Sequence, residues 1–344
     1  MEQQDILSMT LPELQAAVQE LSEPKFRAKQ IFNWLHQKRV TDFSEMTTLS
    51  LPFRKRLASD FCINWLKIAK RLASSVDDTV KYLYELPDGN YVETVCMQYH
   101  HGTSLCISTQ VGCRMGCRFC ASAIAGFVRN LTPAEMLLQI YETERAQNCK
   151  ISSLVLMGIG EPLDNFDNVL RFLQLLSDPN GYGMSLRHVT VSTCGVVPKI
   201  LELAEQRLGL TLSVSLHCPN DAGRSAIMPI NRSYPIDVLL DACQTYFEKT
   251  GRRVTFEYAV MDQVNSAEQD AAALAERLKG LHAHVNLIPI NPVKERNFHT
   301  LKKTVLQFQK TLERYGIPAT IRRTLGSDIE AACGQLRRDA IQQT

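Results

Sequence analysis

The chain has 344 residues, 45% hydrophobic and 22% charged, with a net charge of +2, which suits a globular protein with ample core in one large domain plus one small one. No apolar run approaches the roughly 20 residues of a membrane span. The first residues, Met-Glu-Gln-Gln-Asp, lack the basic head and apolar stretch of a secretion signal, and eleven cysteines without one point to a reducing cytoplasm.

The expected elements follow in chain order. Residues 11 to about 60 read as short helices, with Thr10 as an N-cap ahead of Pro12 and Phe26, Ile31, Phe32, Trp34 and Leu35 at helical spacing. The net charge hides an asymmetry here. Residues 25–71 hold eleven basic and three acidic residues, a local excess of +8. A basic segment on a near-neutral chain is an electrostatic footprint for nucleic acid, or an ordinary solvated helix face. Phe26, Phe32, Trp34, Phe53, Phe61 and Trp65 lie among those charges, and most fit the core of a small helical domain better than base stacking. Residues 63–100 form a β-hairpin linker: two alternating runs flank the turn Pro87-Asp-Gly-Asn.

From residue 101 a larger domain extends to 344. Strands are expected at 104–109, 152–157, 188–193, 210–216, 253–260, 284–289 and 319–323. Helices are expected at 133–147, 165–177, 197–206, 235–249, 267–279 and 301–315, the first with Thr132 as N-cap and Pro133 at its first position. Strand and amphipathic helix in alternation mean βαβ units, an α/β fold with a parallel sheet. Six strands plus one fit a partial barrel, and functional residues then belong at the carboxyl ends of its strands.

Those ends carry the chemistry. After the first strand, Cys113, Cys117 and Cys120 fall within eight residues. Three soft thiolates in one loop can hold three corners of an iron–sulfur cluster and leave one iron open. Zinc is the alternative, with His100 or His101 as a fourth ligand. The second strand ends in Gly158-Ile-Gly160-Glu161-Pro162, where a glycine lets the backbone approach a ligand and Glu161 can accept from an ammonium. Ser192, Ser215 and Asn291 also fall at strand ends and suit ribose or adenine edges.

The three-cysteine loop at the exit of a first strand resembles the radical S-adenosylmethionine (SAM) enzymes. Further segments, among them Val92-Glu93-Thr94-Val95, Cys106 to Cys113, Met228-Pro-Ile-Asn-Arg and Ala331-Ala-Cys333-Gly-Gln-Leu, narrow the resemblance to the RlmN/Cfr family of radical SAM RNA methyltransferases. The resemblance covers about residues 20 to 338 and implies a partial (β/α)6 barrel behind an RNA-binding helical accessory domain at 1–62. It implies that Cys113, Cys117 and Cys120 ligate one [4Fe–4S] cluster. Gly160, Glu161, Ser192, Ser215, Leu216, His217 and Asn291 would bind SAM, two molecules per turnover. By the same resemblance Cys333 would be methylated by the first SAM, a deoxyadenosyl radical from the second would abstract hydrogen from that methyl group, and the resulting methylene radical would add to adenine. Cys106 would then release the product by forming a disulfide with Cys333, with Glu93 as the proton acceptor. The implied substrate carbon is C2 of an adenine in 23S rRNA, with tRNA as a further substrate; Gly160 to Asn165 and Pro292 to Phe298 look more like this branch than the one that methylates C8. The implied electron donor is flavodoxin-like or ferredoxin-like, and a monomer is expected. Cys218 departs from the family pattern, which has a small Ala there. Cys62, Cys96, Cys149, Cys194, Cys218 and Cys243 read as structural. A zinc-stabilised RNA-binding protein without catalysis is the rival of another class.

Overall fold

The computed structural model describes residues 3–124, 126–290 and 298–329. The chain opens with β1 (Gln4–Asp5), α1 (Leu11–Glu20), α2 (Phe26–Asn33), α3 (Leu51–Asp60) and β2 (Phe61–Cys62), which pairs in parallel with β1. Local chemistry sets these boundaries. Glu13 accepts from the Thr10 N–H at 2.8 Å, and Ser50 Oγ accepts from the Phe53 N–H at the start of α3. Beyond α2 the helix widens into a π turn, Trp34–Lys38, and stops at Arg39 in left-handed backbone (φ 56°).

Three antiparallel strands follow: β3 (Lys67–Ala73), β4 (Val80–Glu85) and β5 (Tyr91–Tyr99). The turn between β4 and β5 is the one expected, with Gly89 at φ 79°. The sequence reading treats this stretch as a hairpin linker; it proves to be part of the main sheet. All three strands belong to one ten-stranded sheet. The strand missing from that reading, β3, is exposed along nearly its whole length, so it lacks the alternation that marks a half-buried strand.

β6 (Gly102–Cys106) is the seam, antiparallel to β5 on one side and parallel to β9 (Ile151–Leu156) on the other. Between them lie a short ribbon, β7 (Gln110–Gly112) with β8 (Phe127–Asn130), and α4 (Pro133–Gln147). Thr132 caps α4 in a capping box with Glu135, as its sequence suggests. Alternation then continues through α5 (Phe166–Ser177), β10 (Val189–Thr193), α6 (Val197–Glu205), β11 (Thr211–Ser215), α7 (Asp221–Ile227), α8 (Ile236–Thr250), β12 (Val254–Val260), α9 (Glu268–Leu278), β13 (Ala283–Pro289), α10 (Lys302–Arg314) and β14 (Ala319–Ile321). The ten-stranded sheet runs β14-β13-β12-β11-β10-β9-β6-β5-β4-β3, and its seven parallel strands, β6 and β9 to β14, make an α/β partial barrel.

The helical segment and the barrel share one hydrophobic core, in which Leu14, Phe32 and Phe53 join Leu105 and Val191. Polar contacts reinforce the join: His36 Nδ1 lies 3.0 Å from the Tyr141 hydroxyl, and Arg39 pairs with Glu144 at 2.5 Å. The aromatic residues of the basic segment divide. Phe32 and Phe53 are buried, Trp34 and Phe61 are half-buried, and Phe26 and Trp65 are exposed.

Candidate functional site

A cavity of about 350 Å³ opens at the carboxyl ends of the parallel strands. Its wall includes Cys106 at the end of β6, Ser192 on β10, Ser215 on β11, Glu257 and Ala259 on β12, and Pro289 on β13. Cys113, Cys117 and Cys120 lie on the same wall, each half-buried. The ribbon β7–β8 brackets their loop, and the Cys113 N–H donates to the Gly126 carbonyl at 3.1 Å. Gly112, at φ 79°, is required there, since a Cβ would stand 1.7 Å from the Gly126 oxygen. Burial pushes the Cys113 thiol up to about 12, and Cys120, Glu161 and Asp164 add to the effect. Burial, followed by Cys120 and Cys113, also raises the Cys117 thiol. Three sulfurs crowded enough to oppose one another's ionisation suit a positively charged iron–sulfur core, which would hold all three as thiolates. His100 and His101 sit at the turn between β5 and β6, where His101 stacks on Tyr99, and neither lines this cavity.

Glu161 is buried beside the cysteine loop. Its Oε2 accepts from the Cys194 N–H at 2.7 Å and its Oε1 from the Leu163 N–H at 3.0 Å, while its own N–H donates to Gln110. Burial raises its carboxyl, and those amide donors oppose the rise. The glycines before it line the cavity and also pack closely within the protein. A Cβ at Gly158 would lie 2.5 Å from the Ile107 oxygen, and one at Gly160 would lie 2.7 Å from Gln110.

His217 is held in left-handed backbone (φ 58°) and fully buried, its Nδ1 accepting from the Ala259 N–H at 2.9 Å. Burial first, then the Arg224 charge, lowers it to about 3, so the ring is neutral. Leu216 is buried and does not line the cavity; its N–H donates to the Glu257 carbonyl. Asn291 and Cys333 lie outside the described residues. Cys106 packs with Val95, Met97 and Leu325. Glu93, on β5, is not on the cavity wall. It forms a buried ion pair with Lys81 at 2.9 Å, at 2% and 0% side-chain exposure.

Three residues of this region escape a reading by motif. Cys194, taken as structural, lines the cavity, and its thiol is raised by burial and by neighbouring Glu161. Glu257 lies in the wall with donors Ser213 at 2.7 Å and Asn286 at 2.8 Å, each on an adjacent strand. Arg224 is wholly buried and ties strand ends together through the carbonyls of Cys194 (2.7 Å), Ser215 (3.0 Å) and Leu216 (3.2 Å). A mid-strand Glu and an Arg on a short helix carry no local signal, although Cys194 beside a strand end does. Cys218 is buried in a cluster with Cys194 and Met228 against Cys117 and Phe119, behind the cavity wall.

Comparison with known proteins agrees with this geometry. Residues 4–63 match the family model described as ribosomal RNA large subunit methyltransferase N-terminal domain, and residues 107–275 match the radical SAM superfamily. A protein of Lachnoclostridium phytofermentans named "Probable dual-specificity RNA methyltransferase RlmN" is 50% identical over 99% of this chain and 96% of its own. One of the same name from Clostridium novyi is 48% identical, covering 98% of this chain and 99% of its own. The crystal structure of a radical SAM methyltransferase from Sphaerobacter thermophilus superposes with a TM-score of 0.92 at 40% identity, covering 96% of this chain and 98% of that one. With relatives at half identity along nearly its whole length, the chain belongs to the RlmN family of radical SAM methyltransferases.

Proposed function

We propose that the chain methylates C2 of an adenine in 23S rRNA, with tRNA as a second substrate, through a methyl group carried on Cys333. The observation that carries this reading is that Cys106 faces the same cavity as Cys113, Cys117 and Cys120. A thiol meant to resolve a sulfur-linked intermediate has to stand beside the centre that generates it.

The family implies a [4Fe–4S] cluster and SAM. When bound they supply a carbon radical able to take hydrogen from an unactivated C–H bond. Cys113, Cys117 and Cys120 would hold the cluster. Glu161 would accept from the methionyl ammonium, as a buried carboxylate whose described donors are amides and side chains of its own loop and of β10. Ser192, Ser215 and the neutral His217 offer hydrogen bonds to ribose and adenine. Cys333 carries the methyl group as a thioether and delivers its carbon to adenine. The Cys106 thiolate then attacks the Cys333 sulfur: the S–S bond forms, the sulfur–carbon bond breaks, and its electron pair stays with the product carbon, which takes a proton from solvent to become the methyl group. Glu93 takes the ring proton, its charge partnered by Lys81. The helical segment and the exposed β3, with Lys67, Lys70 and Arg71, present the basic surface for RNA. The electron donor is flavodoxin-like or ferredoxin-like, and the chain acts as a monomer in the cytoplasm. Among the described residues no helix is long and apolar enough to cross a membrane.

Nucleoside mass spectrometry tests the reading. Anaerobically reconstituted protein with SAM, reductant and a 23S rRNA fragment should yield 2-methyladenosine. 8-Methyladenosine would move the chain to the other branch with the same residues, and no methylated adenosine from an iron-loaded sample would overturn the substrate. Cys333→Ala should abolish transfer, and Cys106→Ala should trap RNA covalently on the protein.

A further inference from the structure

We infer that the loop joining β3 to β4 is a latch that anchors the chain beyond β14 beside Cys106 and so shortens the tether to Cys333. The inference rests on the two-thiol reading above.

Ser74 Oγ donates to Asp328 Oδ1 at 2.7 Å, and the Ser75 N–H and Oγ donate to Asp328 Oδ2 at 2.7 and 2.9 Å. A return tie runs from the Gly326 N–H to Asp77 Oδ2 at 2.9 Å. The loop is shaped to receive these bonds. Ser74 Oγ accepts from the Val76 and Asp77 amides, both at 3.1 Å, which directs its hydroxyl proton outward to Asp328. The Ser74 N–H donates to the Thr79 carbonyl at 2.9 Å and closes the loop. Between the latch and the sheet, Leu325 packs in the cluster that contains Cys106, and both Leu325 and Thr79 face the cavity.

Tether length gives the latch its effect. Asp328 is five residues from Cys333, a reach of at most about 18 Å. Without the latch, the nearest sheet bond is from the Arg322 N–H to the Leu287 carbonyl, eleven residues from Cys333 and a reach of at most about 40 Å. The effective concentration of a tethered group falls roughly as the −3/2 power of tether length, so losing the latch should dilute Cys333 about threefold at Cys106.

The test uses the reconstituted full chain in anaerobic glutathione buffers. Oxidised glutathione is reduced to two thiols as Cys106 and Cys333 become a disulfide, and peptide mass spectrometry reads the extent. Asp328→Ala combined with Asp77→Ala should lower the effective molarity of the pair about threefold and speed hydrogen exchange at the Gly326 amide, and Ser74→Ala with Ser75→Ala, which leaves the Asp77 tie, should do both to a smaller extent. Equal effective molarity in the unaltered chain and both variants overturns the latch and leaves the two-thiol reading intact. A Gly326 amide that exchanges as fast in the unaltered chain as in the variants overturns it as well. Absence of any Cys106–Cys333 disulfide in the unaltered chain, with Gly326 protected, overturns the two-thiol reading and the latch's purpose with it.

Discussion

The two halves of the sheet bury charge in different ways. In the antiparallel half, Glu93 is neutralised by Lys81 across 2.9 Å, both side chains out of water. In the parallel half, Glu161 is held by backbone amides and Glu257 by Ser213 and Asn286. An ion pair sets each charge against its opposite and stabilises one arrangement. A carboxylate fixed by neutral donors keeps its charge available to a ligand, at the cost of a raised carboxyl when none is bound. The difference separates a region where buried charge meets its opposite from one where buried carboxylates are held by neutral donors.

Four experiments break or sharpen that contrast. The largest effect is expected at the cysteine loop, where Cys117→Ala should abolish iron uptake on reconstitution, measured as iron per chain, while the thermal midpoint of the unloaded protein stays close to its original value. A collapse of that midpoint would make the cysteine part of the packing instead. Next is the ion pair. Lys81→Met removes the opposite charge beside buried Glu93 and should cost about 3–5 kcal/mol in denaturant unfolding, whereas adding Glu93→Leu should recover most of it. A single variant as costly as the double would show that the charges do not cooperate.

Acid tests the parallel half and the helices packed on it. Burial lowers His36 to about 4 and His217 to about 3. In the unfolded chain each histidine takes a proton as pH falls through about 6.5, and the folded chain refuses it. The unfolded state therefore binds more protons, so stability should fall as pH drops from about 6.5 towards 4, by roughly 3 kcal/mol for His36. His36→Gln should flatten that slope, and an unchanged slope would mean another group titrates. The smallest effect belongs to Glu161→Gln, which keeps the shape and loses the charge. SAM affinity measured by calorimetry should weaken about 10- to 100-fold with little change in unfolding.

Much of the frame was legible in the residues. The 3.6-residue and two-residue periods put α4 at 133–147 and the barrel strands within a residue or two of their places at most ends, because each element buries one face against a shared core. The cysteine loop and Glu161 were legible because they are short and local. β3 was hidden because an exposed edge strand has no buried face to alternate. Arg224 was hidden for the opposite reason: besides the Asn231 side chain, its partners are backbone carbonyls at three strand or loop positions, brought to it by the fold. Glu93 shows a third case, in which the position was read but the partnership with Lys81, twelve residues away and across two strands, was not.

The linear order of the sheet has a consequence for synthesis. Along its length each strand pairs with the one made before it, apart from the small β7–β8 ribbon, so the sheet can grow as the chain leaves the ribosome. At about 5–20 residues per second, the 220 residues between Cys113 and Cys333 take about 10 to 45 seconds to make. For that interval the cysteine loop exists with no Cys333 to compete for Cys106 or for iron. If the proposed roles of these cysteines hold, the cluster can be loaded before the first thiol chemistry, and pulse-labelled chains sampled for iron and for disulfide should show two successive events.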